Sequence, residues 1–183
     1  MQKKQPTLVL MGLRGSGKST LGRLTASRLG LPFVDLDEVT TSLLGEGTLA
    51  ELWARLGEPA FREAEARALH ESLASEGADS QVIALGGGTP IAPGAANLLR
   101  DAVGRRDIVL IYLRGTPKTL RARLAATDTA ERPSLTGAGT LEEIERVFAE
   151  RDGLYQKLAS GVIDTEGHSC EALVEKLEQV LAR

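Results

Sequence analysis

Gly12-Leu13-Arg14-Gly15-Ser16-Gly17-Lys18-Ser19 follows the apolar run Thr7-Leu8-Val9-Leu10-Met11 and precedes a stretch that sets Leu21, Leu24 and Leu29 near one helical face. The octet satisfies G-x-x-x-x-G-K-[ST] at every fixed position, in the strand–loop–helix context that the motif requires. Each residue type has a physical reason. Glycines let backbone N–H groups converge on phosphate oxygens without interference from Cβ atoms. The first turn of the following helix adds a favourable potential for anions. Lys18 can reach the β- and γ-phosphates, and the Ser19 hydroxyl can ligate Mg²⁺. Gly12, Gly15, Ser16, Gly17, Lys18, Ser19 and Thr20 are therefore expected to bind a nucleoside triphosphate, with Lys18 also catalytic. The loop by itself does not say what receives the phosphate.

Outward from this loop, five short apolar runs read as strands: Thr7–Met11, Phe33–Asp35, Gln81–Leu85, Ile108–Leu113 and Gly161–Asp164. Their apolarity is continuous rather than alternating, which predicts burial on both faces of a parallel sheet. Helical patterns lie between them at Ser19–Leu29, Glu58–Ser75, from Thr116-Pro117 onward, Leu141–Leu158 and Cys170–Leu181. The alternation predicts a layered α/β fold with right-handed crossovers. At 183 residues one domain is expected, spanning 1–183. Two segments exceed what a simple crossover needs, residues 37–80 and the polar, Gly- and Thr-rich residues 127–139. They are expected to be a substrate-binding insertion and a lid.

Composition excludes several classes. Apolar residues make up 42% and charged residues 26%, ordinary globular values. The formal net charge of −3 lacks the basic excess of a nonspecific nucleic-acid binder. One cysteine, Cys170, cannot form an intrachain disulfide. The first apolar stretch ends at Gly12, too short for a secretory h-region or a membrane span, so a cytoplasmic protein acting apart from membranes is expected.

Two further clusters carry chemistry. Asp35-Leu36-Asp37 closes the second strand, at the sheet edge where ligands of open parallel sheets gather. Strand alternation would put Asp35 and Asp37 on one side, one holding a Mg²⁺-bound water and the other accepting a hydrogen bond from an acceptor hydroxyl. A plainer role for Asp37 is capping of the next helix. Gly86-Gly87-Gly88 directly follows the third strand, and three glycines there mark a required backbone shape or a close approach.

With Gly57-Glu58-Pro59-Ala60-Phe61-Arg62-Glu63-Ala64-Glu65 added, the sequence resembles shikimate kinase. The family pattern stands here as Gly12–Ser19, Asp35/Asp37, Gly57–Arg62, Gly86–Gly88, Arg132-Pro133 and Arg151 with Tyr155, in family order over nearly the whole chain. The resemblance implies ATP-dependent phosphorylation of the shikimate 3-hydroxyl, a step toward chorismate and the aromatic amino acids. It implies a five-stranded parallel sheet flanked by helices, like that of the nucleoside monophosphate kinases, and a monomer that uses Mg²⁺ with ATP. By position, Asp37 would bind the shikimate hydroxyls and serve as general base, and Asp35 would support Mg²⁺ through water beside Ser19. Arg62 and Arg151 would clamp the carboxylate, and Gly86, Gly87 and Gly88 would contact substrate. Arg132 would reach the transferring phosphate from the lid and bind nucleotide. The Asp164-Thr165 region looks like the family's adenine-binding loop, and Arg123 is the candidate for the arginine that often precedes the lid. Guanidinium forks and a carboxylate acceptor suit a rigid ring that bears one carboxylate and several hydroxyls. The alternatives are another small-molecule kinase, for gluconate or a nucleotide, or a nucleotide-dependent binding module.

His70 and His168 lack partners at metal-ligand spacing and read as surface or helix residues. Trp53 is expected to pack within the 37–80 segment.

Overall fold

The computed structural model describes residues 5–74, 80–126 and 140–181. The expected lid, residues 127–139, and with it Arg132, lies outside the described residues. Five strands, β1 (Thr7–Met11), β2 (Phe33–Asp35), β3 (Val82–Ala84), β4 (Ile108–Arg114) and β5 (Gly161–Asp164), form one parallel sheet in the order β2-β3-β1-β4-β5. The helices are α1 (Lys18–Leu29), α2 (Leu36–Leu44), α3 (Leu49–Leu73), α4 (Ala95–Arg105), α5 (Pro117–Ala126), α6 (Thr140–Leu158) and α7 (Cys170–Leu181).

Residue alternation along the strands divides the core into two layers, as the continuous apolar runs predict. Val9, Met11, Ile83, Leu110 and Tyr112 point to one face, where they meet Leu69 of α3, Leu99 of α4 and Tyr155 of α6. Leu8, Leu10, Val82, Ile111 and Leu113 point to the other, against Leu21 of α1 and Val174 and Leu177 of α7. Each such buried side chain contributes on the order of 1.5–3 kcal/mol relative to exposure. A sheet covered on both sides leaves only its edges and its carboxyl end for ligands. The chain leaves β1 for β2 on one side and crosses to β4 on the other, so the loop after β1 opens into the crevice between β3 and β4.

Three elements differ from the sequence reading. Asp35 and Asp37 do not share a strand: the chain turns into α2 at Leu36, with Asp35 as its N-cap and Asp37 in its first turn. The cap is therefore Asp35, whose Oδ1 accepts the Asp37 N–H at 3.1 Å. The helix expected from Glu58 is present, but a further helical stretch precedes it from Leu49, behind a capping box in which Thr48 and Glu51 satisfy each other's backbone N–H groups. The two stretches meet in a kink at Gly57 (φ 78°, ψ 168°), and Pro59, two residues on, stands in the first turn after it. α4 carries no expectation at all. Its buried stripe of Ala95, Leu99 and Ala102, flanked by Leu98 and Val103, follows helical spacing, and two of its three fully buried positions are alanines. No helix among the described residues is long and apolar enough to cross a membrane.

Candidate active site

The phosphate loop is built from local backbone demands. Gly15 (φ 81°) and Gly17 (φ 92°) occupy the left-handed region, which a side chain would strain. Gly17 is the N-cap of α1, so the helix starts at Lys18 with its first N–H groups turned into the loop. Lys18 Nζ folds back over the loop and donates to the carbonyls of Gly12 at 2.9 Å and Leu13 at 3.1 Å. Ser16 N–H donates to Leu13 O at 3.1 Å, and Ser16 Oγ is buried with no hydrogen-bond partner among the described residues. Ser19 and Thr20 follow on the first turn of α1.

Beside this loop, Gly86–Gly88 is where the other expected residues meet. None of the three has a positive φ, so what the sequence requires here is closeness rather than backbone shape. A Cβ at Gly86 would stand 2.6 Å from Asp37 Oδ1 and 2.9 Å from Glu65 Oε1. One at Gly88 would stand 2.0 Å from Arg62 Nη1. The Gly87 carbonyl accepts from Arg151 Nη1 at 3.0 Å and from the Tyr155 hydroxyl at 2.7 Å. Gly87 also borders the phosphate loop, since a Cβ there would lie 3.5 Å from the Arg14 backbone nitrogen. Leu13, Arg14, Gly87 and Arg151 line one cavity. Asp37 from α2, Arg62 from α3 and Arg151 from α6 thus converge on one glycine turn after β3.

Arg62 is held on three sides. Nη1 donates to Glu65 Oε2 at 2.5 Å, Nη2 reaches Glu58 Oε1 at 3.2 Å, and the guanidinium lies 5.3 Å from the Trp53 ring centroid. Trp53 in turn packs edge-on to Phe61, with ring centroids 5.0 Å apart, so it does sit within the α2–α3 segment. Arg62, Glu65 and Arg151 are all buried, and Arg151 Nε has no acceptor among the described residues. Burial pushes the Glu65 carboxyl above its ordinary value, Arg62 pulls against that shift, and nearby Asp37 reinforces it. In the sequence Glu65 stands only as the end of the Gly57–Glu65 run. Its signal was the i, i+3 spacing from Arg62, which matters only because that helix face is buried.

On the other side of the loop, Arg123 of α5 donates to Thr165 Oγ1 at 2.9 Å and to Thr165 O at 2.8 Å, which ties it to the segment after β5. Asp35 is buried and Ser19 partly so. Among the described residues no group of three or more His, Cys, Asp or Glu is placed to hold a metal ion. His168 lies at the surface, with Nε2 2.9 Å from Lys176 Nζ, and Cys170 is exposed.

A five-stranded parallel sheet with this loop at its switch point and converging acid and guanidinium groups beside it defines a phosphate-loop kinase of the nucleoside-monophosphate-kinase type. The shikimate kinase family model matches residues 14–182. A shikimate kinase from Paracidovorax citrulli is 38% identical over 182 residues, 99% of this chain and 94% of that protein. The structure of a shikimate kinase from Acinetobacter baumannii in complex with shikimate superimposes with a TM-score of 0.83 at 26% identity, over 97% of this chain and 93% of that one. A gluconokinase from Sinorhizobium meliloti, at 15% identity and a TM-score of 0.57, shares the fold alone. The chain belongs to the shikimate kinase family and is a phosphotransferase with an alcohol group as acceptor.

Proposed function

We infer that this chain transfers the γ-phosphoryl group of ATP to the 3-hydroxyl of shikimate, giving shikimate 3-phosphate and ADP. The observation that carries the reading is the convergence of Asp37, Arg62 and Arg151, from three helices, on Gly86–Gly88 beside the phosphate loop. Two buried guanidiniums suit the carboxylate of a ring acid, and Arg151 Nε offers it a further donor. Asp37, pressed against Gly86, orients the acceptor hydroxyl and takes its proton as the oxygen attacks phosphorus. The glycines add no side chain beside the ring, and on the family pattern their N–H groups would contact it.

Lys18 neutralises charge on the transferring group, and Gly12, Gly15, Ser16, Gly17, Ser19 and Thr20 cradle the phosphates with backbone N–H and hydroxyl donors. A Ser hydroxyl one residue past the phosphate lysine and a buried carboxylate make a hard-oxygen set that fits Mg²⁺. Ser19 would hold the ion directly and Asp35 through water, and the ion would supply charge neutralisation at the phosphates. Arg132 keeps its lid role on the family pattern alone. Arg123, on the side away from the acceptor residues, takes the place of the family's pre-lid arginine toward the base.

In this reading α2 and α3 form the substrate-binding part of a single domain, and residues 127–139 form its lid. The protein acts as a cytoplasmic monomer on small molecules, not on nucleic acid or membranes, in keeping with its net charge of −3.

The test is ADP release in a coupled assay, with shikimate, gluconate and nucleoside monophosphates compared as acceptors. Shikimate should give stoichiometric ADP and the others only background. Turnover driven by gluconate or a monophosphate, or hydrolysis indifferent to every acceptor, overturns the reading.

A further inference from the structure

The strand order decides which way a bound triphosphate runs. Asp35, Asp37 and Gly86–Gly88 lie on the β2–β3 side of β1, so a γ-phosphate facing them leaves the nucleoside end toward β4 and β5. At the carboxyl ends of those strands stand Gly115-Thr116, leading into α5, and Thr165–Ser169, leading into α7. α5 also abuts the phosphate loop: a Cβ at Gly15 would stand 3.0 Å from Leu124 Cγ and 3.2 Å from Leu120 O. α5 is therefore the spacer between the phosphate grip and the β5–α7 segment.

That segment is fastened to α5 at two points. Arg123 holds Thr165, which is fully buried and whose N–H donates to Arg114 O at 2.8 Å. One residue on, a single oxygen of Glu166, Oε1, gathers three donors from the first turn of α5. They are Thr116 N–H at 3.2 Å, the Thr119 hydroxyl at 2.6 Å, and the Thr116 hydroxyl. Asp164 Oδ1 accepts the Glu166 N–H at 2.8 Å and so fixes the turn that aims the carboxylate.

We propose that Glu166 is a positioning residue for the nucleotide: its carboxylate latches the β5–α7 segment to the N-terminus of α5, at a set distance from the phosphate loop. The proposal rests on the kinase reading for the direction in which the nucleotide lies. The three hydrogen bonds hold the carboxyl below the ordinary glutamate value, so the latch stays ionised at neutral pH. Because all three donors use one oxygen, an amide can stand in for the carboxylate by keeping that oxygen as acceptor. A role confined to stability would lower the melting temperature without separating the two ligands.

The test compares Glu166→Ala, Glu166→Gln and Thr119→Val. ADP affinity is measured by titration calorimetry in the presence of Mg²⁺, a measurement that needs no acceptor, and KM for shikimate and kcat by ADP release. Glu166→Ala should weaken ADP five- to tenfold and leave KM for shikimate within twofold. Glu166→Gln should restore ADP affinity to within about twofold, and Thr119→Val, which removes one of three donors, should weaken it two- to threefold. Unchanged ADP affinity in both Glu166→Ala and Thr119→Val, an equal rise in KM for shikimate, or no recovery in Glu166→Gln overturns the proposal. If Glu166→Ala does not fold, Thr119→Val and Glu166→Gln decide it. Wild-type protein that binds ADP but ignores shikimate would count against the acceptor assignment and leave the latch standing.

Discussion

Arg151 and Tyr155 stand one turn apart on α6 and donate to the same acceptor, the Gly87 carbonyl, at 3.0 and 2.7 Å. The shared oxygen ties the Arg151 guanidinium, proposed to grip the acid, to the glycine turn. Burial pushes the Tyr155 hydroxyl up to about 12, so it remains a donor across any practical assay range. Tyr155→Phe should cost about 1 kcal/mol of stability, the usual worth of a hydrogen bond. It should raise KM for shikimate several-fold and leave KM for ATP nearly unchanged. Urea unfolding and steady-state kinetics check both parts.

Arg62→Lys keeps a cation but loses the fork that meets Glu58 and Glu65 at once and is proposed to bind the acceptor's carboxylate. Apparent affinity for shikimate should fall roughly 10- to 100-fold, about 1.4–2.7 kcal/mol, and ATP affinity much less. Trp53 lies against this guanidinium, so saturating shikimate should change its emission in the wild type. Equal loss for both ligands would instead indicate a folding defect.

Gly88→Ala introduces a methyl group into the Arg62 guanidinium, with contacts of 2.0 and 2.7 Å to Nη1 and Cζ. The backbone at Gly88 (φ −107°) is open to any residue, so the cost is displacement of Arg62. The kcat/KM for shikimate should fall on the order of 100-fold. Gly104→Ala is the matched control. It lies in α4 with nothing within 4 Å of an added Cβ, and should add about 0.5 kcal/mol of stability with normal kinetics.

Burial raises the Glu65 carboxyl above 4.5, so the folded state holds this proton more tightly than the unfolded chain. The stability it contributes is complete below pH 4.5 and is lost as pH rises through the higher folded value. Urea midpoints followed upward from pH 4 should therefore carry a declining component that Glu65→Gln removes. Identical pH slopes in the two proteins would refute this.

Lys18→Ala removes the cation proposed to neutralise the transferring phosphate, together with its bonds to the Gly12 and Leu13 carbonyls. A drop in kcat of about 10³-fold or more is expected, with a smaller change in ATP affinity. Near-normal turnover in a folded Lys18→Ala protein would remove Lys18 from the mechanism.

The sequence alone determined the phosphate loop, the five strands and their parallel, doubly covered character. It did so because each rests on neighbours along the chain: glycines at left-handed positions, a lysine at a helix start, apolar runs of strand length. It also named Asp37, Arg62 and Arg151 as groups around one ring acid, but through a family pattern and not through any local signal. Only tertiary structure decided that Gly86–Gly88 is their meeting point, that Glu65 stands behind Arg62, and that Arg123 and Glu166 bind the β5–α7 segment to α5. Glu65 and Arg62 are three positions apart, but the other contacts join residues 26 to 68 positions apart. They exist because β3 lies between β2 and β1 and because α3 and α6 bury particular faces. On a solvated helix the same arginine or glutamate would be an ordinary surface charge, and no local pattern distinguishes the two.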